Sequence, residues 1–403
     1  MAGGPLEGIR IIDLTSVVVG PLATQILADH GADVIKIESP AGDIGRFLSG
    51  RGRTHAMSAK FLHLNRNKRS ACLDLKQPAA FDALTRLIAR ADVLLWNVRP
   101  ASMARLGLGY EAVRAINARI VYCGMFGFGQ DGRYRDKPAY DSIIQGVSGV
   151  AGLHERATGT PHYVPYVLAD RTVGLIAVQL IVMALFKRER TGDGESIEIP
   201  MFENIATQVL TEHLYLRTFD PPLGGTGDPR VLDPQNRPIK TADGYVCISA
   251  NTDTQAFALF AVIGQPQLKD DSRFNSVAAR FKNVADYFTV RAGAILTNTT
   301  AHWIAALDAV DVPVAPYNTL DSLIDDPHLA DVGFFERREH PTEGTIVNLR
   351  LANKLSGGAR RDYRPAPKLG EHTRDVLAEA GVDQVTIDAL ISSGAALAWD
   401  GKT

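Results

Sequence analysis

Short apolar runs alternate with amphipathic stretches over roughly the first 130 residues, and this rhythm restricts the architecture more than any other feature. Gly8 to Leu14 (GIRIIDL) reads as a strand, SVVVGP as a turn and LATQILADHG as a helix stopped by Gly31; Ala32 to Glu38 (ADVIKIE) reads as a second strand. A strand–helix–strand unit this short implies a parallel pair joined by a right-handed crossover. The pattern recurs where FDALTRLIARA leads to DVLLWNV and where YEAVRAINA leads to RIVYCGMFG. Such alternation specifies an α/β domain built on a parallel sheet.

The texture changes after about residue 215. Asp220 to Pro238 is rich in Pro, Gly and Asp and reads as a linker or exposed loop. IKTADGYVCIS follows as a hairpin turning at Asp243-Gly244, and a second hairpin is expected around Glu343-Gly344. A smaller α+β domain is placed at 228–325. The most apolar stretch, Val173 to Phe186, is shorter than a bilayer span, and its all-round apolarity predicts a helix buried in a soluble domain. The 43 basic residues against 45 acidic ones, with only 7% aromatics, lack the signature of a nucleic-acid binder. Cys72, Cys123 and Cys247 are too scattered for a disulfide framework or a CxxC metal site, so a reducing cytoplasm is the expected compartment.

Several motifs admit two readings. The first turn is either an ordinary β–α turn or a ligand turn at the end of a parallel strand, although Gly20 stands alone where a dinucleotide fingerprint has three glycines. Gly127, Gly129 and Gly132 do form G-x-G-x-x-G, but RYRDKPAY behind them is no helix start. Basic residues crowd from Arg46 through Arg51, Arg53, Lys60, Arg66, Lys68 and Arg69 to Lys76, as a solvated face or as a polyanion pocket. Asp170 lies between VPYVL and a wholly apolar helix. It is either that helix's N-cap or a nucleophile steadied by the helix terminus.

In several stretches the chain resembles the class III (CaiB/BaiF-type) coenzyme A transferases, which include formyl-CoA:oxalate and carnitine CoA-transferases. The stretches are GIRIIDLTSVVVGPLATQILADHGADVIKIE, NRNKRSACLDLK, DVLLWNVRP, the segment around Tyr140, LADRTVGL, KRERTGDGESIEIPMFE and, near the C-terminus, APKLGEHTRDVL. The resemblance implies a Rossmann-like large domain from both chain ends (1–220 and 330–403), a smaller domain between them, and an interlocked homodimer. It places the nucleophilic aspartate on Asp170 and the CoA-binding backbone turn on Val18 and Val19. The adenine-side strand falls on Leu73 to Lys76, and CoA contacts on Asn97, Arg99 and Arg105. Tyr140 matches an active-site tyrosine, with Lys137 as a looser candidate.

On this resemblance the chain moves CoA from an acyl-CoA to a free carboxylic acid through an aspartyl anhydride and an aspartyl-CoA thioester. CoA and acyl-CoA are substrates, and no tightly bound cofactor, metal, nucleic acid or membrane is expected. Related α-methylacyl-CoA racemases carry a histidine in place of Tyr140, which disfavours the racemase alternative because racemisation needs an acid/base pair. A non-catalytic acyl-CoA-binding protein is the other alternative, and a nucleotide-dependent dehydrogenase is disfavoured by the missing fingerprint. The glycine-run loop of the oxalate enzymes is absent. The segment with Arg46, Arg51, Arg53 and His55 suggests a small dicarboxylic acid, whose second carboxylate an arginine fork would hold.

Overall fold

In the computed structural model, which describes residues 4–356 and 363–401, the alternation becomes one twisted sheet. Its strands are β1 (Arg10–Leu14), β2 (Asp33–Glu38), β3 (Lys68–Leu73), β4 (Val93–Trp96), β5 (Val121–Phe126) and β6 (Glu195–Pro200). They run parallel in the order 3-2-1-4-5-6, and a two-residue strand, Ala396–Leu397, pairs antiparallel with β3. β3, β4 and β5 are buried along their whole length, which explains why the latter two read as unbroken apolar runs rather than alternating ones.

Helices α1 (Val19–Asp29), α2 (Ala59–Leu64), α3 (Pro78–Ile88), α4 (Pro100–Arg105), α5 (Tyr110–Ile116) and α6 (Asp141–Val147) follow in turn. α3 shows the logic of the crossovers. Pro78 starts it, and Ala80, Ala83, Leu84, Leu87 and Ile88 form one buried stripe in the core between sheet and helices.

Two compact units emerge. One comprises Met1–Ser148, Val164–Thr207 and Asp331–Thr403; the other comprises Gly149–Tyr163 and Gln208–Ala330. The domain bounds expected from sequence, 1–220 for the large domain, differ from this at 149–163 and 208–220, both of which belong to the second unit. Gly149, at φ 92°, ends the run of α6, and the next helix, α7 (Val150–Thr158), joins the second unit, where Arg156 donates to the Thr226 carbonyl at 2.8 Å. That unit holds the antiparallel strands β7 (Ile239–Lys240), β8 (Tyr245–Ile248) and β9 (Val314–Pro316), with the expected turn at Asp243-Gly244. The hairpin at Glu343-Gly344 forms from β10 (Phe335–His340) and β11 (Gly344–Leu349) in the first unit. Between 220 and 238 no helix or strand forms.

The apolar helix departs from expectation. α8 (Leu168–Thr191) has 24 residues, long and apolar enough by length and composition alone to cross a membrane. Nor is it buried all round. Val173, Gly174, Ala177, Ile181, Ala184 and Leu185 pack inward, while Leu175, Met183 and Phe186 are each more than half exposed in the single chain. The apolar stretch was a core face and a surface face combined, which composition cannot separate.

Candidate active site

The strand order reverses between β1 and β4, and in open α/β sheets the crevice outside the carboxyl ends of two such strands is where ligands bind. Here those ends are tied together. The Asn97 amide, just past β4, accepts from the Ser16 N–H at 3.0 Å and donates to the Ser16 carbonyl at 2.9 Å. Asp43 accepts from the Val17 N–H at 3.0 Å. Between these bonds Val17 adopts φ 70°, a left-handed conformation that a β-branched residue rarely takes. The strain is held by the surrounding hydrogen bonds. Asn97 thus holds the turn, with both ends of its amide engaged.

Beneath the turn lies a buried charge cluster. Lys36 pairs with Asp43 at 2.9 Å and donates to the Thr15 carbonyl at 2.7 Å. Asp13 lies 3.3 Å from Lys68 and accepts from Thr24 at 2.6 Å. Burial alone would raise the Asp13 carboxyl, but Lys68 and Lys36, with the Thr15 and Thr24 hydroxyls, hold it below the usual carboxylate range. Burial pulls Lys68 down to about 8 against the attraction of Asp13. Val18 and Val19 are themselves buried and α1 has no side-chain cap, so the turn presents backbone N–H groups, as a helix start that binds anions does.

Of the remaining candidates for CoA, Leu73 and Lys76 lie at and just past the end of β3, Arg99 and Arg105 follow β4, and Lys137 lies between β5 and α6. Leu73 is a core residue at the end of β3, able to offer only backbone. Lys76 is exposed just beyond it. Arg99 caps α4 and Arg105 ends it, both exposed, with Arg105 donating to the Ser102 hydroxyl at 3.0 Å. Lys137 is exposed and lies 4.2 Å above the Tyr134 ring.

Asp170 is not the N-cap of its helix. Val167 occupies that position, and Asp170 is the third helical residue. The cap comes from a neighbour, because Asp141, the first residue of α6, accepts from the Ala169 and Asp170 N–H groups at 2.8 and 3.1 Å. One turn further along α6, Gln145 donates to Asp141 at 2.6 Å, accepts from the Val164 N–H at 2.9 Å and donates to the Tyr166 carbonyl at 3.2 Å. α6 therefore clamps the segment leading into α8. Tyr140, immediately before Asp141, is 76% exposed at the same corner.

Burial pushes the Asp170 carboxyl up, the Asp141 charge adds to the rise, and Lys60 and Arg171 oppose it; the result is about 7. Four residues on, on the same helix face, Gly174 packs so close that a Cβ would lie 2.8 Å from the Val19 carbonyl oxygen. A partly shielded carboxyl thus stands one helical turn from the backbone turn at the crevice. That pairing suits covalent attack on a ligand held by the turn.

Neither reading of the basic segment survives for most of its members. Arg46 is buried, holds Glu38 through two bonds of 2.7 Å, donates to the Pro367 carbonyl and stacks 3.9 Å from the Phe61 ring centroid. It therefore has no fork left for a substrate carboxylate. Arg66 pairs with Asp29, Arg69 with Asp33 and Glu379, Lys68 with Asp13, and Arg53 with the Glu343 carbonyl. The sequence showed the cations but not the acids, 8 to about 310 residues away, that neutralise them. The G-x-G-x-x-G glycines lie in a loop in which Gly129 donates to Glu203, and no helix starts there. Asp141 and Gln145 were missed, although their i, i+4 spacing directly after Tyr140 was a readable signal.

Comparison with known proteins gives the family. The family model CoA-transferase family III matches residues 6–373. A succinate–glutarate CoA-transferase of Agrobacterium fabrum is 34% identical over 388 residues, 93% of this chain and 95% of that protein. The mouse succinyl-CoA:glutarate CoA-transferase is 32% identical, covering 97% of this chain and 90% of its own. A solved CaiB/BaiF family protein from Brucella suis superposes with a TM-score of 0.78 at 29% identity, covering 94% of this chain and all of the other. With a family model spanning nearly its whole length, this chain belongs to CoA-transferase family III.

Proposed function

We propose that the enzyme exchanges CoA between small dicarboxylic acids with Asp170 as the covalent nucleophile. The carrying observation is the Asp170 carboxyl, shielded at the start of α8 and packed one turn from the Val18–Val19 backbone. The Asp170 carboxylate attacks the donor thioester carbonyl, forming a mixed anhydride and expelling CoA thiolate. The thiolate attacks the aspartyl carbonyl, giving an aspartyl-CoA thioester and the free donor acid. The acceptor carboxylate attacks that thioester, forming a new anhydride and again releasing thiolate. Attack of the thiolate on the acceptor's acyl carbonyl yields the new acyl-CoA and restores Asp170. Each step keeps the activated acyl bond, so water must be excluded.

Val18 and Val19 offer backbone donors to CoA, Asn97 fixes their turn, and the exposed cations Arg99, Arg105 and Lys76 pair with its phosphates. Tyr140 and Lys137 complete the acyl side, and Leu73 borders the adenine. The dicarboxylate assignment rests on the succinate and glutarate named for the relatives, since Arg46 is engaged internally. Arg51, exposed and without an ion pair among the described residues, takes its place as the candidate for the second carboxylate. The exposed apolar side of α8 supports the homodimer.

Incubation with succinyl-CoA should add the mass of CoA, less water, to the peptide containing Asp170, and Asp170→Asn should abolish the adduct and the exchange. Succinyl-CoA with glutarate should outpace succinyl-CoA with butyrate, and Arg51→Ala should narrow that gap. An adduct on another residue, or equal rates with both acids, would overturn the corresponding part of the proposal.

A further inference from the structure

The second unit contains a buried cation that the transfer chemistry does not use. On the helix Val284–Ile295, Tyr287 and Phe288 pack with Phe260 and Phe274 into an aromatic core. Arg291 emerges from that helix only 6% exposed, its guanidinium 5.0 Å from the Tyr287 ring and 4.5 Å from that of Phe288. Among the described residues no carboxylate pairs with it, and its Nε has no hydrogen-bond partner. The Tyr287 hydroxyl is the group that supports its charge, and that hydroxyl already donates to the Ala250 carbonyl at 3.1 Å. Burial accordingly pulls the guanidinium below its ordinary range.

Arg291 lines a cavity of about 70 Å³ together with Arg230, Arg280, Asn236, Ser249 and Asn251, and no acidic side chain borders it. Arg280 is already committed, to Asp253 at 2.8 Å and to the Phe274 carbonyl at 2.9 Å. Arg230 keeps an unpartnered buried Nε, with Glu212 no nearer than 4.0 Å. A buried guanidinium lacking a counter-ion is costly, and a planar fork facing a small polar space is complementary to an oxyanion. A space of this size admits a carboxylate group or several waters.

The geometry points to a binding site in the second unit for a small carboxylate, held by Arg291 with Arg230 at its side. The test is thermal unfolding of the full chain at constant ionic strength in chloride, acetate or phosphate. It is run on the wild type, Arg291→Met and Arg291→Lys in an Asp170→Asn background, so that exchange chemistry plays no part. Acetate should raise the melting temperature above its chloride value, saturably at millimolar concentration. Arg291→Met should lose that increment while melting no lower than its parent in chloride, because it removes an uncompensated charge; Arg291→Lys should keep part of it. An increment that survives Arg291→Met, or equal melting in acetate and chloride, would overturn the site. Phosphate outcompeting acetate would overturn the carboxylate assignment. Should Arg291→Met fail to fold, wild-type crystals soaked in acetate and, separately, in chloride decide the matter: carboxylate-shaped difference density paired with Arg291 in the acetate crystals alone supports the site, and its absence rejects it.

Discussion

Two aspartates of one corner do different work because of what surrounds them. Asp141 gives its carboxylate to two backbone N–H groups of α8, whereas Asp170 is half-buried next to that charge, and its carboxyl is pushed up to about 7. A nucleophilic carboxyl must be ionised, so kcat/KM should climb with pH and approach its plateau above about 7. Asp141→Asn keeps an amide oxygen to cap the helix but removes the charge that helps raise Asp170. Its acid limb should therefore move to lower pH, a shift that a purely structural role would not produce. The stability sign is the reverse of the usual aspartate case. With its folded value raised from 3.8 to about 7, Asp170 costs the fold stability as pH rises through that window. Asp170→Asn should therefore lose activity on the order of 10⁴-fold yet melt a few degrees higher (roughly) above pH 7. That gain should vanish below about pH 4. Calorimetry across the pH range checks this.

At the scale of elements, the LADRTVGL stretch has a physical content that its resemblance alone did not supply. In the proposed mechanism Asp170 brings the chemistry, and Gly174 brings α8 down onto the carbonyl of Val19. Gly174→Val must push α8 and α1 apart, since the atom it meets is backbone rather than a pliable side chain. We expect a destabilisation of about 1–3 kcal/mol and a raised KM for the acyl-CoA, from the displaced turn. Denaturant melts and steady-state kinetics report the two separately, and an unchanged KM would uncouple the glycine from CoA binding. The strands and helices of the sheet were legible because each is a local pattern of apolar period. The ion pairs of β3 were not, since the partners of Arg69 lie on β2 and on a helix 310 residues downstream.

For the whole molecule, α8 poses the largest question. Leu175, Met183 and Phe186 form an apolar exposed face on a helix whose other side is core. Contiguous exposed apolar surface of this kind marks an interaction surface. Refolded from denaturant, the paired variant Met183→Glu and Phe186→Glu should give monomer in light scattering where the wild type gives dimer, with an unaltered far-ultraviolet spectrum. A dimer that persists in the double variant would place the interface elsewhere.

The sequence by itself determined the parallel α/β sheet, the crossover connections, the two hairpins and the identity of Asp170 as the residue to examine. These follow from periodicity, turn chemistry and motif, all carried by neighbouring residues. Only the tertiary structure decided that Asp170 is a third helical residue capped by Asp141, that Asn97 spends its amide on Ser16, and that Arg46 faces Glu38. The physical reason is the same throughout. A charged or polar side chain acquires its role from whichever group neutralises it, and that group is chosen by packing between segments far apart in the chain.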